Sequence, residues 1–354
     1  MRAAVVGKLA AARTEAIGVD ALPDGGAYYV ARLRQQTSVS IDPEALRQSG
    51  LAEVDRLGAL LDARLRTLGQ TEGSVGERLE RLREQSRYGV EDTDAGRARL
   101  GETAQELLAR ARTASKPYFT RFPESDVIIR LTPDFARDSS PSSYMPPAAD
   151  GSRPGVFNFS IRDAATVSKM DLPRLIVHET IPGHHYQLAL QQESALPILR
   201  QYLPFSGYSE GWATYAETLA VDMGLYGDTP VGEIGALRSH LSLAVLQVVE
   251  TGLHHKGWSR EQAIAYVADT LATPREQIES AIDRMLVWPG QMITYIVGSA
   301  KIEEMRAKTK NQLGDRFDIK AFHDEILREG AMPLDVLDRR IDAWIARGRT
   351  PSAP

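Results

Sequence analysis

Pro182 and Gly183 stand side by side inside His178-Glu179-Thr180-Ile181-Pro182-Gly183-His184-His185, and this pair decides what the segment can become. A His-Glu pair with a second histidine four residues after the first is the helical signature of a zinc peptidase. Both imidazoles then share one helix face, and the glutamate activates water. Here the fourth position is Pro182, which offers no side-chain ligand. On an undistorted helix His178 and His184 are separated by about 9 Å of rise and about 240° of rotation. His178 and His185 fall nearly in line but lie about 10 Å apart along the axis. Neither pair meets one metal ion on a straight helix. Proline removes the hydrogen bond to the carbonyl of residue 178 and clashes with that turn, while glycine tolerates unusual dihedrals. Excising the dipeptide restores His-Glu-Thr-Ile-His. The sequence therefore predicts that Pro182-Gly183 bulges out and that His178 and His184 bind the metal, with His185 in reserve. Three of the seven histidines cluster around one glutamate beside the apolar stretch Leu172 to Val177, which argues against solvated side chains at a Pro-Gly turn.

A catalytic zinc needs a third protein ligand and an open position. The segment Ser209-Glu210-Gly211-Trp212-Ala213-Thr214-Tyr215-Ala216-Glu217 opens a helical stretch with Glu210 and Glu217 on one face. Gly211 and Ala213 leave room for close packing beside Glu210, the preferred ligand. Glu217 is the reserve ligand, or a partner that orients a liganding histidine. Between them, Gln187 to Leu203 leads away from the site and Pro204-Phe205-Ser206-Gly207 turns the chain back. The chain has no cysteine, so disulfides and thiolate ligands are excluded and any zinc is held by histidine and carboxylate.

Amphipathic patterns predict helices over about 1 to 19, 43 to 68, 73 to 86 and 93 to 116, with Asp42-Pro43-Glu44 as a helix start. From 117 to 160 the character changes. Asp126 to Leu131 reads as a strand, Ser139 to Gly155 as a Pro/Ser/Gly-rich loop and Val156 to Ser160 as a second strand. Helices resume through about 346, and there is no internal repeat. With 354 residues, 43% of them apolar, the chain can bury a large core. A net charge of −5 and the lack of a basic stretch interleaved with aromatics argue against a nucleic-acid partner. No run is apolar for long enough to span a membrane, and the one at Met1 to Gly7 is too short for a signal peptide, although a truncated start would hide one. No compartment or oligomeric state follows from this.

The His-Glu-x-x-Pro-Gly-His-His and Glu-Gly-Trp-Ala-x-Tyr-Ala-Glu segments resemble those of the bacterial family known as domain of unknown function 885, itself similar to Glu-liganded zincin metallopeptidases. Further blocks resemble the family: Asp24-Gly25-Gly26-Ala27-Tyr28-Tyr29, Arg153-Pro154-Gly155-Val156-Phe157-Asn158, Thr251-Gly252-Leu253-His254, Pro289-Gly290-Gln291 with Tyr295 and Gly298, and Phe322-His323-Asp324. Together they span roughly residues 20 to 345. Family members are commonly longer at the N-terminus, and Glu250 stands where the pattern suggests Asp. The resemblance implies a mostly α, zincin-like fold with a small β-sheet lining the cleft. Residues 1–125 form a helical N-terminal part and 126–354 the catalytic part of one continuous, cleft-forming domain.

The function implied is zinc-dependent hydrolysis of peptide bonds, with Glu179 as general base. The oxyanion needs a second donor. Tyr295 fills that role by likeness to related folds, and His254 is either the alternative donor or a structural histidine with its hydrogen bonds satisfied. Asn158, Tyr144 and Arg284 are the substrate-binding candidates. Val156 to Ser160 is either the edge strand that pairs with an extended substrate or part of a structural hairpin covering the core, Tyr144 is a candidate to cover the site, and Arg284 or His323 to anchor a carboxylate or brace the helices. A zinc-holding binding module without turnover and a non-peptide amide hydrolase are the alternatives. Glu179 favours catalysis, because a structural zinc needs no base.

Overall fold

The computed structural model describes residues 17–226 and 230–349. Most of the helix expected over 1 to 19 therefore lies outside the described residues, and its end forms a short 3-10 turn at Val19–Ala21. Directly after that turn comes a helix the sequence reading missed, α1 (Gly25–Thr37). A Cβ on Gly25 would sit 1.9 Å from the carbonyl oxygen of Val19, so only glycine lets the helix start against the turn. The next three helices match their sequence signals. In α2 (Pro43–Thr67) the Asp42 carboxylate accepts the Ala45 N–H and proline takes the first turn. Ser74 and Glu77 form a reciprocal cap on α3 (Val75–Gln85), and Thr93 caps α4 (Asp94–Ser115).

A three-stranded sheet follows, with β1 (Val127–Leu131), the short helix α5 (Asp134–Arg137), β2 (Ser143–Met145) and β3 (Gly155–Phe159) in chain order. In space the order is β1-β3-β2, with β1 parallel and β2 antiparallel to β3. Ile129 and Tyr144 flank Phe157 in register. The strand expected at the edge is thus the central one, and both of its edges are used. Its composition explains this, because Val156, Phe157 and Phe159 are all buried and both faces pack on protein. The edge strands are β1 and β2, and β2 emerges from the segment read as loop.

Beyond the sheet the chain is helical: α6 (Leu172–Glu179), α7 (His184–Gln192), α8 (Ile198–Tyr202), α9 (Ser206–Asp222), α10 (Pro230–His255), α11 (Arg260–Leu271), α12 (Arg275–Val287), α13 (Ile293–Leu313), α14 (Ile319–Leu327) and α15 (Leu334–Arg349). One core joins Leu100, Leu107 and Leu108 of α4 to Phe157, Ile176, Trp212 and Phe322. A second joins Leu57, Leu61 and Leu65 of α2 to Ala244, Val245 and Val249 of α10. Both cores take side chains from either side of residue 125. No described helix is long and apolar enough to cross a membrane.

The crossing of α9 and α13 positions the site. Cβ atoms on Gly211 and Gly298 would lie 2.5 and 2.6 Å from backbone atoms of the opposite helix, and one on Gly298 also 2.0 Å from the Gly207 carbonyl oxygen. Glycine at 211 and 298 lets the backbones touch. Glu210 precedes Gly211 and Tyr295 lies one turn before Gly298, so the contact brings the two side chains to one place.

Candidate metal centre

Helix α6 begins with proline in its first turn and buries Leu172, Ile176 and Val177, which leaves His178 and Glu179 at its last positions. There the helix stops. The Thr180 N–H donates to the Ile176 carbonyl at 2.9 Å, the Ile181–Pro182 peptide is cis, and the Gly183 N–H reaches back to the Val177 carbonyl at 3.1 Å. Helix α7 restarts as the Gln187 N–H bonds to the Gly183 carbonyl at 3.1 Å. The excursion spans Thr180 to Gly183, so the expected two-residue bulge is a four-residue break between two helices. Glycine is required for space: a Cβ on Gly183 would stand 2.0 Å from the His178 carbonyl oxygen. The Trp212 indole N–H donates to the Pro182 carbonyl at 2.7 Å and ties the break to α9. As a result the His178 and His184 rings meet edge to face at 4.8 Å.

Glu210 completes the cluster. Its Oε2 lies 3.3 Å from His184 Nε2 and 3.7 Å from His178 Nε2, and one ligand atom from each residue falls within 4.8 Å of the others. Tetrahedral zinc with ligands at about 2.0–2.2 Å sets neighbouring donors about 3.3–3.6 Å apart. Glu210 Oε2 is buried without a hydrogen-bond partner. The donor set and its spacing fit a zinc ion.

Glu217 meets the same ring from behind. Its Oε1 accepts the Nδ1–H of His178 at 2.8 Å and lies 3.2 Å from the Arg174 guanidinium. A carboxylate can only accept, so the proton is fixed on Nδ1 and the Nε2 lone pair is turned toward Glu210 and His184. Glu217 therefore orients His178. Burial raises its carboxyl, but Arg174 and His178 outweigh this and hold it at about 2. Glu210 is likewise raised by burial and drawn far below its usual range by His184 and His178. Burial lowers His178, yet Glu210 and Glu217 outweigh it and raise the ring to about 10.

A cavity of about 530 Å³ opens on this cluster, lined by His178, Glu179, His184, Glu210, Tyr144, Arg284 and Tyr295 among others. The Tyr295 ring stacks on His178 with centroids 6.2 Å apart. Burial, helped by Glu210, pushes its hydroxyl up to about 12, so it stays a donor at neutral pH. Tyr144 sits on β2, lines the cavity and shares a 2.9 Å hydrogen bond with His185 Nδ1.

Other expectations are corrected. His185 bonds the Ser125 carbonyl at 3.1 Å through Nε2 and Tyr144 through Nδ1, so neither ring nitrogen is left for a metal. His254 lies away from the cavity: its Nδ1 accepts the Val19 N–H at 3.2 Å and its Nε2 faces the Met285 carbonyl at 3.1 Å. It is a buried structural histidine that holds the N-terminal turn, and the oxyanion role falls away. His323 braces helices, with Nδ1 on the Tyr118 carbonyl and Nε2 on the Tyr215 hydroxyl. Asn158, opposite Ser143 on the central strand, does not line the cavity. Two roles were missed. Arg174 was legible as the residue four before His178 on the same helix face. Trp212 carried no signal beyond its place in the Glu-Gly-Trp-Ala block.

The profile of a bacterial protein family of unknown function, DUF885, matches residues 1–341. A crystal structure of a candidate lipoprotein from Colwellia psychrerythraea superposes with TM-score 0.93 at 38% identity, covering 97% of this chain and 59% of that one. A candidate lipoprotein of unknown function from Shewanella oneidensis superposes with TM-score 0.80 at 20% identity, covering 95% of this chain and 62% of that one. This chain thus spans about three fifths of each solved relative. No curated protein matches the sequence.

Proposed function

The chain belongs to the bacterial DUF885 family, and from that premise we propose that it is a zinc-dependent hydrolase of zincin-like design that cleaves peptide bonds. The convergence of His178 Nε2, His184 Nε2 and Glu210 Oε2 on one point beside Glu179 carries the reading. These three residues would hold the metal. Zinc bound there supplies Lewis acidity to a water molecule and to the scissile carbonyl. Glu179 takes the proton of the attacking water and passes it to the leaving amine nitrogen. Tyr295 donates its O–H to the oxygen that becomes negative as the carbonyl is attacked. The free edge of β2, on the cavity wall, offers backbone N–H and C=O groups to an extended substrate. Likeness to the Colwellia protein supports a place in the cell envelope.

Glu179→Gln tests the reading. The amide keeps the shape but cannot accept the proton, so turnover of a broad peptide library should fall by about 10²–10⁴ while zinc content holds. Unchanged turnover contradicts the mechanism, and zinc binding without turnover by the parent contradicts the enzyme reading.

A further inference from the structure

The charged side chains around the metal cavity are unevenly placed. Glu179 and Glu210 stand with the histidines, and among the described residues Arg284 is the one lysine or arginine that lines it. Most arginines here are spent on acids, as Arg174 is on Glu217 and Arg340 on Glu325. The side chain of Arg284 has no ion pair or hydrogen bond to any described residue. Its guanidinium lies 5.7 Å from the centre of the Trp288 ring, a contact that orients the planar group and leaves its N–H donors unused. Arg284 lies in the last turn of α12 and Tyr295 in the first turn of α13, and both line the cavity, as does Tyr144 of β2. The charge of Arg284 is felt at the Tyr295 hydroxyl, where it works against the rise caused by burial.

A substrate that places a carboxylate here meets a planar fork suited to two parallel N–H···O bonds, and repulsion from Glu179 and Glu210 keeps that carboxylate at the arginine end. The cavity volume lies within the range of about 300–1,000 Å³ that suits a small molecule or a chain end. We propose that Arg284 binds the terminal carboxylate of a peptide, so that the site removes residues from C-termini. This rests on the peptidase reading and names its substrate class. Water adds to the carbonyl carbon of the last peptide bond and the C–N bond breaks. The proton taken by Glu179 goes to the departing amine. The products are a shortened peptide with a new carboxylate and a free amino acid whose own carboxylate leaves from Arg284.

The test uses a pool of N-acetylated tripeptides with varied last residues, each as the free acid and as the C-terminal amide. In the zinc-loaded Glu179→Gln chain, titration calorimetry should show the acids binding at least tenfold tighter than the amides. Adding Arg284→Gln should bring that ratio toward one with zinc content unchanged. In the parent, kcat/KM should favour the acids by at least the same factor, with single residues released from the C-terminus. Equal binding of acids and amides, or a preference that survives Arg284→Gln, overturns the inference. If the acids bind preferentially through Arg284 but the parent cleaves nothing, the hydrolase reading fails and the carboxylate site stands.

Discussion

Among the described residues, two buried clusters that contain histidine and glutamate handle charge in opposite ways. At the metal centre, Glu210 and Glu217 are held ionised by His178, His184 and Arg174, and the Nε2 atoms of both histidines face a shared point. Near the start of the described chain, Glu250 and His254 sit one turn apart on α10 under Tyr29 and the Val19 turn. His254 uses both ring nitrogens on backbone groups. Glu250 accepts the Gly290 N–H, but burial outweighs this bond and pushes its carboxyl up to about 8. One cluster keeps its charges and leaves ligand atoms bare, whereas the other gives up its charge and spends both nitrogens of its histidine on backbone groups. Residue type alone does not separate them, and the disposition of each ring nitrogen does.

Glu217→Gln should have the larger effect on this contrast. The amide still accepts the His178 Nδ1–H but no longer carries the charge that strengthens the ligand, and Arg174 loses its partner. Zinc affinity should fall by about 10–100-fold, measured by competition with a chelator. An unchanged affinity would mean that the carboxylate behind His178 does not tune the metal site.

Glu250→Gln addresses the other cluster, and its effect depends on pH. The folded carboxyl sits at about 8 against 4.5 for an ordinary glutamate, so in that window the unfolded chain is ionised while the folded chain keeps its proton. The folded state binds more protons there, and stability falls as pH rises, by up to about 1.4 kcal/mol per unit. Gln keeps the bond to Gly290 and has no proton to lose. The variant and the parent should melt together near pH 4.5, and at pH 8 the variant should melt higher by a few degrees. Equal pH slopes for the two chains would show that Glu250 is ionised in the fold.

Much of this was legible in the sequence because it rests on local rules. The Asp42-Pro43-Glu44 start, the charged amphipathic helices and the two apolar strands depend on neighbours in the chain. The Pro-Gly pair announced a broken helix for the same reason. What was missed depends on distant partners. Helix α1 is glycine-rich at its start because Val19 presses on Gly25. Strand β2 is three residues long and exists only through pairing with β3, which in turn makes β3 central. Glu210 and Glu217 share one face, so both reach His178, and only the packing of α9 decides which meets Nε2 and which Nδ1. His254 sits in a family-like block as well placed in sequence as Tyr295, yet its surroundings are backbone.

The central claim is that the chain break at Thr180 to Gly183 delivers His184, and not His185, to a zinc ion shared with His178 and Glu210. Metal content after dialysis against buffered zinc, for the parent and for His184→Ala, His185→Ala and His254→Ala, tests it most directly. About one zinc per chain in the parent, none retained by His184→Ala and near-parental binding by the folded fraction of the other two is the predicted result. Zinc retained by His184→Ala and lost from folded His185→Ala would contradict the account.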